Sequence, residues 1–326
     1  LFPAKNWWEP QGWDETLILL AGLYSDDCTP VVNWLKEAQP EVDSRCIVES
    51  GAHCPDQTLE ILRKLWIPRL TDLKNDPEPK ARAAVGRALG RLRLNGLPLD
   101  NRKGVSVSPL QLGEGTGVRF IPDLDWVEIR GGEFTYQDKE KRAEPTFYLA
   151  RYPITYVQFQ TFIDDPQGFS NSRWWEGLAA DDEHKRAPDE QWFKFHTHPR
   201  ERVSWYDAIA FCRWLTEMAQ AYPQLLPETM RSKGRCEITL PTEWQWEKAA
   251  RGSEGNEYPY GKDFDAAKGN TSETGIQQTN AVGIFPNGAS PYGVLELSGN
   301  VWEWCLNKYS DPSNIGLSGS ETRVVR

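Results

Sequence analysis

Apolar positions recur at helical spacing through the first hundred residues. Thr29-Pro30 sets a hydroxyl residue before a proline at a helix start, leading into Val31, Val32, Trp34 and Leu35. Asp56 opens a second stretch in which Leu59, Leu62 and Leu65 share one face. Asp76-Pro77 opens a third, with Ala84, Val85, Ala88, Leu89 and Leu92 as its apolar stripe. Its other face carries Lys80, Arg82, Arg87 and Arg91, which predicts a solvated basic surface. From Asn95 to Asp123 the periodicity is broken by Gly, Pro, Asn and Ser, as in a loop-rich join.

The pattern then changes. Trp126-Val127-Glu128-Ile129 alternates and meets Gly131-Gly132, a strand running into a turn, and Phe147 to Ala150 predicts another short strand. Three capping boxes follow: Thr155 with Gln158, Ser204 with Asp207, and Thr242 with Gln245, each opening a helix. Long segments rich in Trp, Asn and Gly lie between and after them. Helices set among short strands and long loops predict an α+β domain over 124–326. It follows an α-helical segment over 1–100 and a linker over 101–123.

Composition narrows the function classes. The 326 residues hold 37 Lys and Arg against 47 Asp and Glu, a net charge of −10. Residues 121–326 alone hold 22 basic and 31 acidic side chains, hence −9. Such acidity argues against nucleic acid and anionic membrane as partners. The longest apolar run, Leu17 to Leu23, is far short of the roughly 20 residues a membrane helix needs. Six cysteines without regular spacing predict neither a zinc site nor a disulfide framework, and fit a reducing, cytoplasmic setting. Both ends read as cut from a longer protein. Tryptophan is abundant, 15 against 2 Met, and ten of the 15 follow residue 120. Most fall in motifs or on apolar helix faces and predict scaffold. Trp174, Trp175 and Trp192 lie in a polar insert that no periodicity explains, and are the candidate ligand anchors.

The motifs resemble, in order, those of the formylglycine-generating-enzyme/sulfatase-modifying-factor family, whose core is related to the C-type lectin fold. They are Ile129-Arg130-Gly131-Gly132-Glu133-Phe134, Tyr152-Pro153-Ile154-Thr155, Val203 to Ala208, Leu240-Pro241-Thr242-Glu243-Trp244, Trp246 to Gly252, Tyr258-Pro259-Tyr260-Gly261, and Gly299 to Trp304. The resemblance implies two calcium sites. The first takes Asn270 through its side chain and Thr271 and Ile276 through carbonyls, with Glu273 one residue from the family's acidic ligand. The second takes Glu303 through its carboxylate and Gly299 and Val301 through carbonyls. Oxidases of the family hold copper on two cysteines that follow an Arg-Val-x-Arg-Gly-Gly-Ser segment, which begins here at Arg323. A branch that binds iron carries His-x-x-x-His-x-Glu, whose spacing His196-Thr197-His198 does not match.

The helices ahead of the domain resemble HEAT-type repeats and the C-terminal part of bacterial NACHT or STAND-type proteins. Together these imply a non-catalytic recognition module of a larger sensor or effector. Its partner would be a protein or other macromolecular ligand, with an effector or NTPase domain upstream. Its binding surface would belong to the type that a diversity-generating retroelement varies. The alternatives are an oxidase acting on a sulfatase-type cysteine, with its copper ligands beyond Arg326, and an accessory domain with no ligand.

Overall fold

The computed structural model describes residues 6–10, 12–111, 118–137, 140–181, 185, 188–232, 234 and 236–326. Parts of the expected helical segment (1–5) and linker (112–117) lie outside the described residues.

Five helices come first: α1 (Asp14–Gly22), α2 (Thr29–Leu35), α3 (Pro40–Glu49), α4 (Asp56–Arg69) and α5 (Pro79–Arg91). A tight hairpin follows, β1 (Arg93–Leu94) with β2 (Leu97–Pro98). The segment expected as a linker instead holds a second antiparallel hairpin, β3 (Val107–Gln111) with β4 (Val118–Pro122). It is tied down because Gln158 Nε2 donates to the carbonyls of Gly104 (3.1 Å) and Asp123 (2.6 Å). Thr155 Oγ1 likewise donates to Val105 O at 3.0 Å. Buried backbone needs partners, and here two capping side chains supply them.

Beyond lie β5 (Trp126–Ile129), β6 (Gly132–Tyr136), β7 (Glu140–Glu144) and β8 (Phe147–Ala150). The two strands expected from alternation, β5 and β8, pair antiparallel with Trp126 opposite Ala150, and β6 pairs with β7. Then come α6 (Tyr156–Asp164), α7 (Trp205–Ala221), α8 (Glu228–Arg231), α9 (Glu243–Arg251), β9 (Trp304–Lys308) and β10 (Arg323–Val325), the last two antiparallel. All three expected capping boxes are formed, at the starts of α6, α7 and α9. The fold is α+β.

The helical part and the following domain share a core. Ile276, Ala281, Ile284 and Phe285 pack among the apolar faces of α1 to α5. Close approach is possible because α5 offers glycine there. A Cβ on Gly86 would stand 2.7 Å from Ala281 Cβ, and one on Gly90 2.8 Å from Phe195 Cβ. Arg82 corrects the expectation of a solvated basic face. Its side chain is wholly buried. Nη1 donates to Asp76 O (2.8 Å) and Pro77 O (2.7 Å), and Nε to Ile284 O (2.8 Å). Arg87 and Arg91 both reach Glu41 on α3, and of the four Lys80 alone is exposed. The stripe was legible, but a charged side chain facing a second layer could not be told from one facing water.

Arg82→Met keeps the volume and strands the carbonyls of Asp76, Pro77 and Ile284, two of them in buried bonds. It should lower unfolding stability by about 2–4 kcal/mol in a urea titration, while Lys80→Met stays within about 0.5 kcal/mol.

Candidate functional site

Two loops meet where the expected calcium ligands lie. Asn300 N–H donates to Asn270 O at 2.9 Å, and Asn270 Nδ2 donates to Gln278 O (2.8 Å) and Asn300 Oδ1 (3.3 Å). Gly299 has φ +103°, and a Cβ there would sit 2.3 Å from Asn270 O, so only glycine allows the crossing. Asn280 closes the cluster: its N–H donates to Asn300 Oδ1, and its own Oδ1 is buried with no partner. The two expected sites are therefore one continuous loop cluster.

The first set is poorly furnished for a cation. Thr274 stands close to where the resemblance implies an acid, and its hydroxyl donates to Gly269 O (2.7 Å), with Ala266 O also within reach at 3.1 Å. Thr271 O already accepts from Thr274 N–H. Ile276 packs into the core of the helical part. Glu273 is exposed, and hydrogen bonds from the Thr271 and Ser272 hydroxyls hold its carboxyl below the usual range. A hydroxyl donor thus fills the place of the missing charge.

The second set is different. Glu303 is turned inward, and its Oε2 accepts from Trp246 Nε1 at 2.9 Å. Burial, reinforced by the nearby Glu296 carboxylate, pushes its pKa up to about 7. Gly299 O accepts from Val301 N–H at 3.0 Å. Glu296 was not singled out from the sequence, yet it is buried at φ +67°. Its Oε1 accepts from Gly283 N–H (2.8 Å) and its Oε2 from Asn300 Nδ2 (3.2 Å), and burial raises its pKa to about 7. The available signal was an acid set between Leu295 and Leu297. Among the described residues no three His, Cys, Asp or Glu side chains converge as metal ligands. A cation at this place would rest on the Glu303 carboxylate and carbonyls, as calcium accepts.

The structure reverses three of the tryptophan assignments: Trp174, Trp175 and Trp302. Trp174 and Trp175 are 5% and 4% exposed, not loop anchors. Their indoles donate to Gln167 O and Phe169 O, and they pack with Phe162, Phe169, Phe211 and Trp214. A short 3₁₀ turn over Ser172–Trp175 folds the insert back onto α7, which helical or strand periodicity does not register. Trp192 is exposed at 70%, with Arg202 over its ring at 5.2 Å. Trp302, assigned to scaffold, is 80% exposed. It stands at a cavity of about 210 Å³ whose walls include Trp126, Tyr148, Phe159, Phe211, Leu240 and Trp304. The cavity is chiefly apolar, with Glu303 and Arg200 among its few charged neighbours.

The thiols of this part serve separate places. Cys305 lies buried in β9, Cys212 lies buried in α7 with its pKa pushed up to about 12, and Cys236 donates to Met230 O.

Residues 121–326 match the sulfatase-modifying factor enzyme 1-like domain family. The chain belongs to this family. The match starts three residues ahead of the expected boundary. The chain is 28% identical to the bovine protein named inactive C-alpha-formylglycine-generating enzyme 2, over 72% of this chain and 79% of that protein. It is 32% identical to mouse formylglycine-generating enzyme, over 58% of this chain and 59% of that one. With the uncharacterized protein YfmG of Bacillus subtilis it shares 28% identity, over 54% of this chain but only 37% of YfmG. Among solved structures, Treponema denticola variable protein 1 aligns with a TM-score of 0.38 at 16% identity, over 63% of this chain and 78% of that one.

Behind the family domain's loop cluster, His196-Thr197-His198 is buried against α5. His198 Nδ1 meets Thr279 Oγ1 at 3.0 Å, and His196 N–H donates to Gly90 O at 3.0 Å. Burial, then Arg93, brings the His196 pKa down to about 4; burial, then Arg87 and Arg91, holds His198 well below its usual value. Both are neutral in the fold, whereas the unfolded chain protonates them below about pH 6.5. The unfolded state then binds more protons, so these residues make stability fall as pH drops from about 6.5 toward 4. His198→Asn should lessen that slope by about 1.4 kcal/mol per pH unit, read from urea titrations at stepped pH.

Proposed function

We propose that the chain is a non-catalytic recognition module of a larger bacterial sensor or effector protein. In this reading the family domain captures a protein or other macromolecular ligand, and the HEAT-like helices join it to an upstream effector or NTPase domain of NACHT or STAND type. The setting is cytoplasmic, and the ligand is neither nucleic acid nor membrane. The observation that carries the reading is Trp302, 80% exposed beside an aromatic-walled cavity. An indole left in water next to an apolar hollow costs solubility and offers a large rigid anchor to a partner side chain. The Trp192 ring adds a second exposed aromatic surface. The printed name of the bovine relative, an inactive enzyme, supports the absence of turnover. A surface diversified by a retroelement is the finer form of this reading, and it would vary the positions around the cavity while leaving the capping boxes alone.

Calcium fits the second set better than the first. Glu303 would hold it through its free carboxylate oxygen, with the Gly299 and Val301 carbonyls completing the shell and the ion supplying charge that burial denies the acid. Copper belongs only to the oxidase alternative.

Peptides selected from a displayed random library on the immobilised chain should lose at least tenfold in affinity on Trp302→Ala, with the melting temperature unchanged. Formation of an aldehyde on a Cys-x-Pro-x-Arg peptide in the presence of copper would overturn the non-catalytic reading. For the ion, calcium chloride in place of EDTA should raise the melting temperature by a few degrees, and Glu303→Gln should abolish the difference. An identical melting curve in both buffers sinks the calcium assignment.

A further inference from the structure

Three cysteines gather in the helical part, away from the site above: Cys28 just before α2, Cys46 within α3, and Cys54 two residues before α4. Two backbone hydrogen bonds clamp their loops side by side. Cys28 N–H donates to His53 O, and His53 N–H donates to Ser25 O, both at 2.9 Å. Thr29 Oγ1 and Thr58 Oγ1, 2.8 Å apart, brace the same junction one turn on. The clamp lays the Cys54 thiol against the Cys28 sulfur, with Cys54 as the hydrogen-bond donor. Cys54 is the half-buried member and marks the way in from solvent.

The surroundings favour chemistry between these two sulfurs. The bond from Cys54 holds the Cys28 pKa below its usual value, which favours its thiolate, the reactive form. Asp43 is wholly buried beside them with neither carboxylate oxygen partnered. Burial, then the Cys28 charge, holds that carboxyl's pKa well above the usual carboxylate range. Burial pushes Cys46 up to about 12 and keeps it a thiol. No three His, Cys, Asp or Glu side chains among the described residues meet as metal ligands, so the cluster is not built around an ion.

We propose that Cys28 and Cys54 are a dithiol that peroxide closes reversibly to a disulfide. The Cys28 thiolate attacks one oxygen of hydrogen peroxide. The O–O bond breaks, Cys28 becomes a sulfenic acid, and the departing hydroxide takes up the proton Cys28 had released, giving water. The Cys54 sulfur then attacks the sulfenic sulfur. The S–S bond forms, the S–O bond breaks, and the hydroxyl leaves with the Cys54 proton as a second water. Two thiols lose two electrons and one peroxide gains them. The bond fastens the start of α2 to the approach of α4, stiffening the body on which the family domain is mounted.

The full chain treated with hydrogen peroxide, then alkylated and mapped by mass spectrometry, should retain four of its six free thiols and yield a peptide joining Cys28 to Cys54. Dithiothreitol should restore all six, and the oxidised form should melt about 3–5 °C higher. Cys46→Ser should leave the cross-link intact, whereas Cys54→Ser should trap a sulfenic acid on Cys28 that dimedone labels. Six thiols surviving peroxide, or a cross-link through Cys46, overturns the proposal.

Discussion

A buried cation joins the two parts of this molecule, and the geometry of the loop cluster follows from it. Burying a guanidinium costs several kcal/mol unless its hydrogens find acceptors. Arg82 finds them for Nε and Nη1 on both sides, at Asp76 and Pro77 in the helical part and at Ile284 in the family domain, while Nη2 is buried without one. Arg102, held by Asp100, repeats the device by donating to Val282 O at 2.9 Å. With Gly86 pressed against Ala281, the 276–285 loop has little freedom to shift. That loop supplies Gly283 N–H to Glu296 and Asn280 to Asn300, so the arrangement around Glu303 depends on a helix far away in sequence. The helices and the family domain are therefore better regarded as one folding unit than as beads on a linker.

Within the cluster, amides do work that acids could not do alone. The Glu296 carboxylate raises the proton affinity of Glu303, and burial raises that of Glu296 against the pull of the Arg102 charge. Asn270, Asn280 and Asn300 surround them with groups that donate to carboxylates and accept from backbone without adding charge. A neutral acid satisfies this frame near pH 7, and so does an ionised acid beside a cation. The first set lacks that tension because Thr274 satisfies the neighbouring carbonyls with a hydroxyl.

Much of the fold was legible in the sequence because its signals are local. Capping boxes at Thr155, Ser204 and Thr242, the alternation of Trp126 to Ile129 and the ordered family motifs each depend on a few adjacent residues. The errors share a different cause. Arg82 was assigned to solvent, Trp174 and Trp175 to the surface, and 101–123 to a linker. Each is decided by a partner more than 30 residues away, whether Ile284, α7 or Gln158. Trp302 was misread in the opposite sense, because motif membership says that a residue belongs to the frame without saying which way it faces.

The orientation of Trp302 bears on function because the fold seats four neighbouring indoles in hydrogen-bonded places. Trp126, Trp205, Trp246 and Trp304 each donate to a partner across the domain: Leu225 O, Cys305 O, Glu303 and Val203 O. A scaffold this able to accommodate indoles leaves Trp302 in water between Val301 and Glu303. Two neighbouring residues thus face opposite environments, an acid turned inward and a large ring turned outward, on one short segment paired through Glu303 to Arg326. Anything that changes the charge or position of Glu303 acts on the backbone that presents the ring. Under the proposed reading, ion and ligand are then thermodynamically linked, each altering the affinity for the other by the same factor.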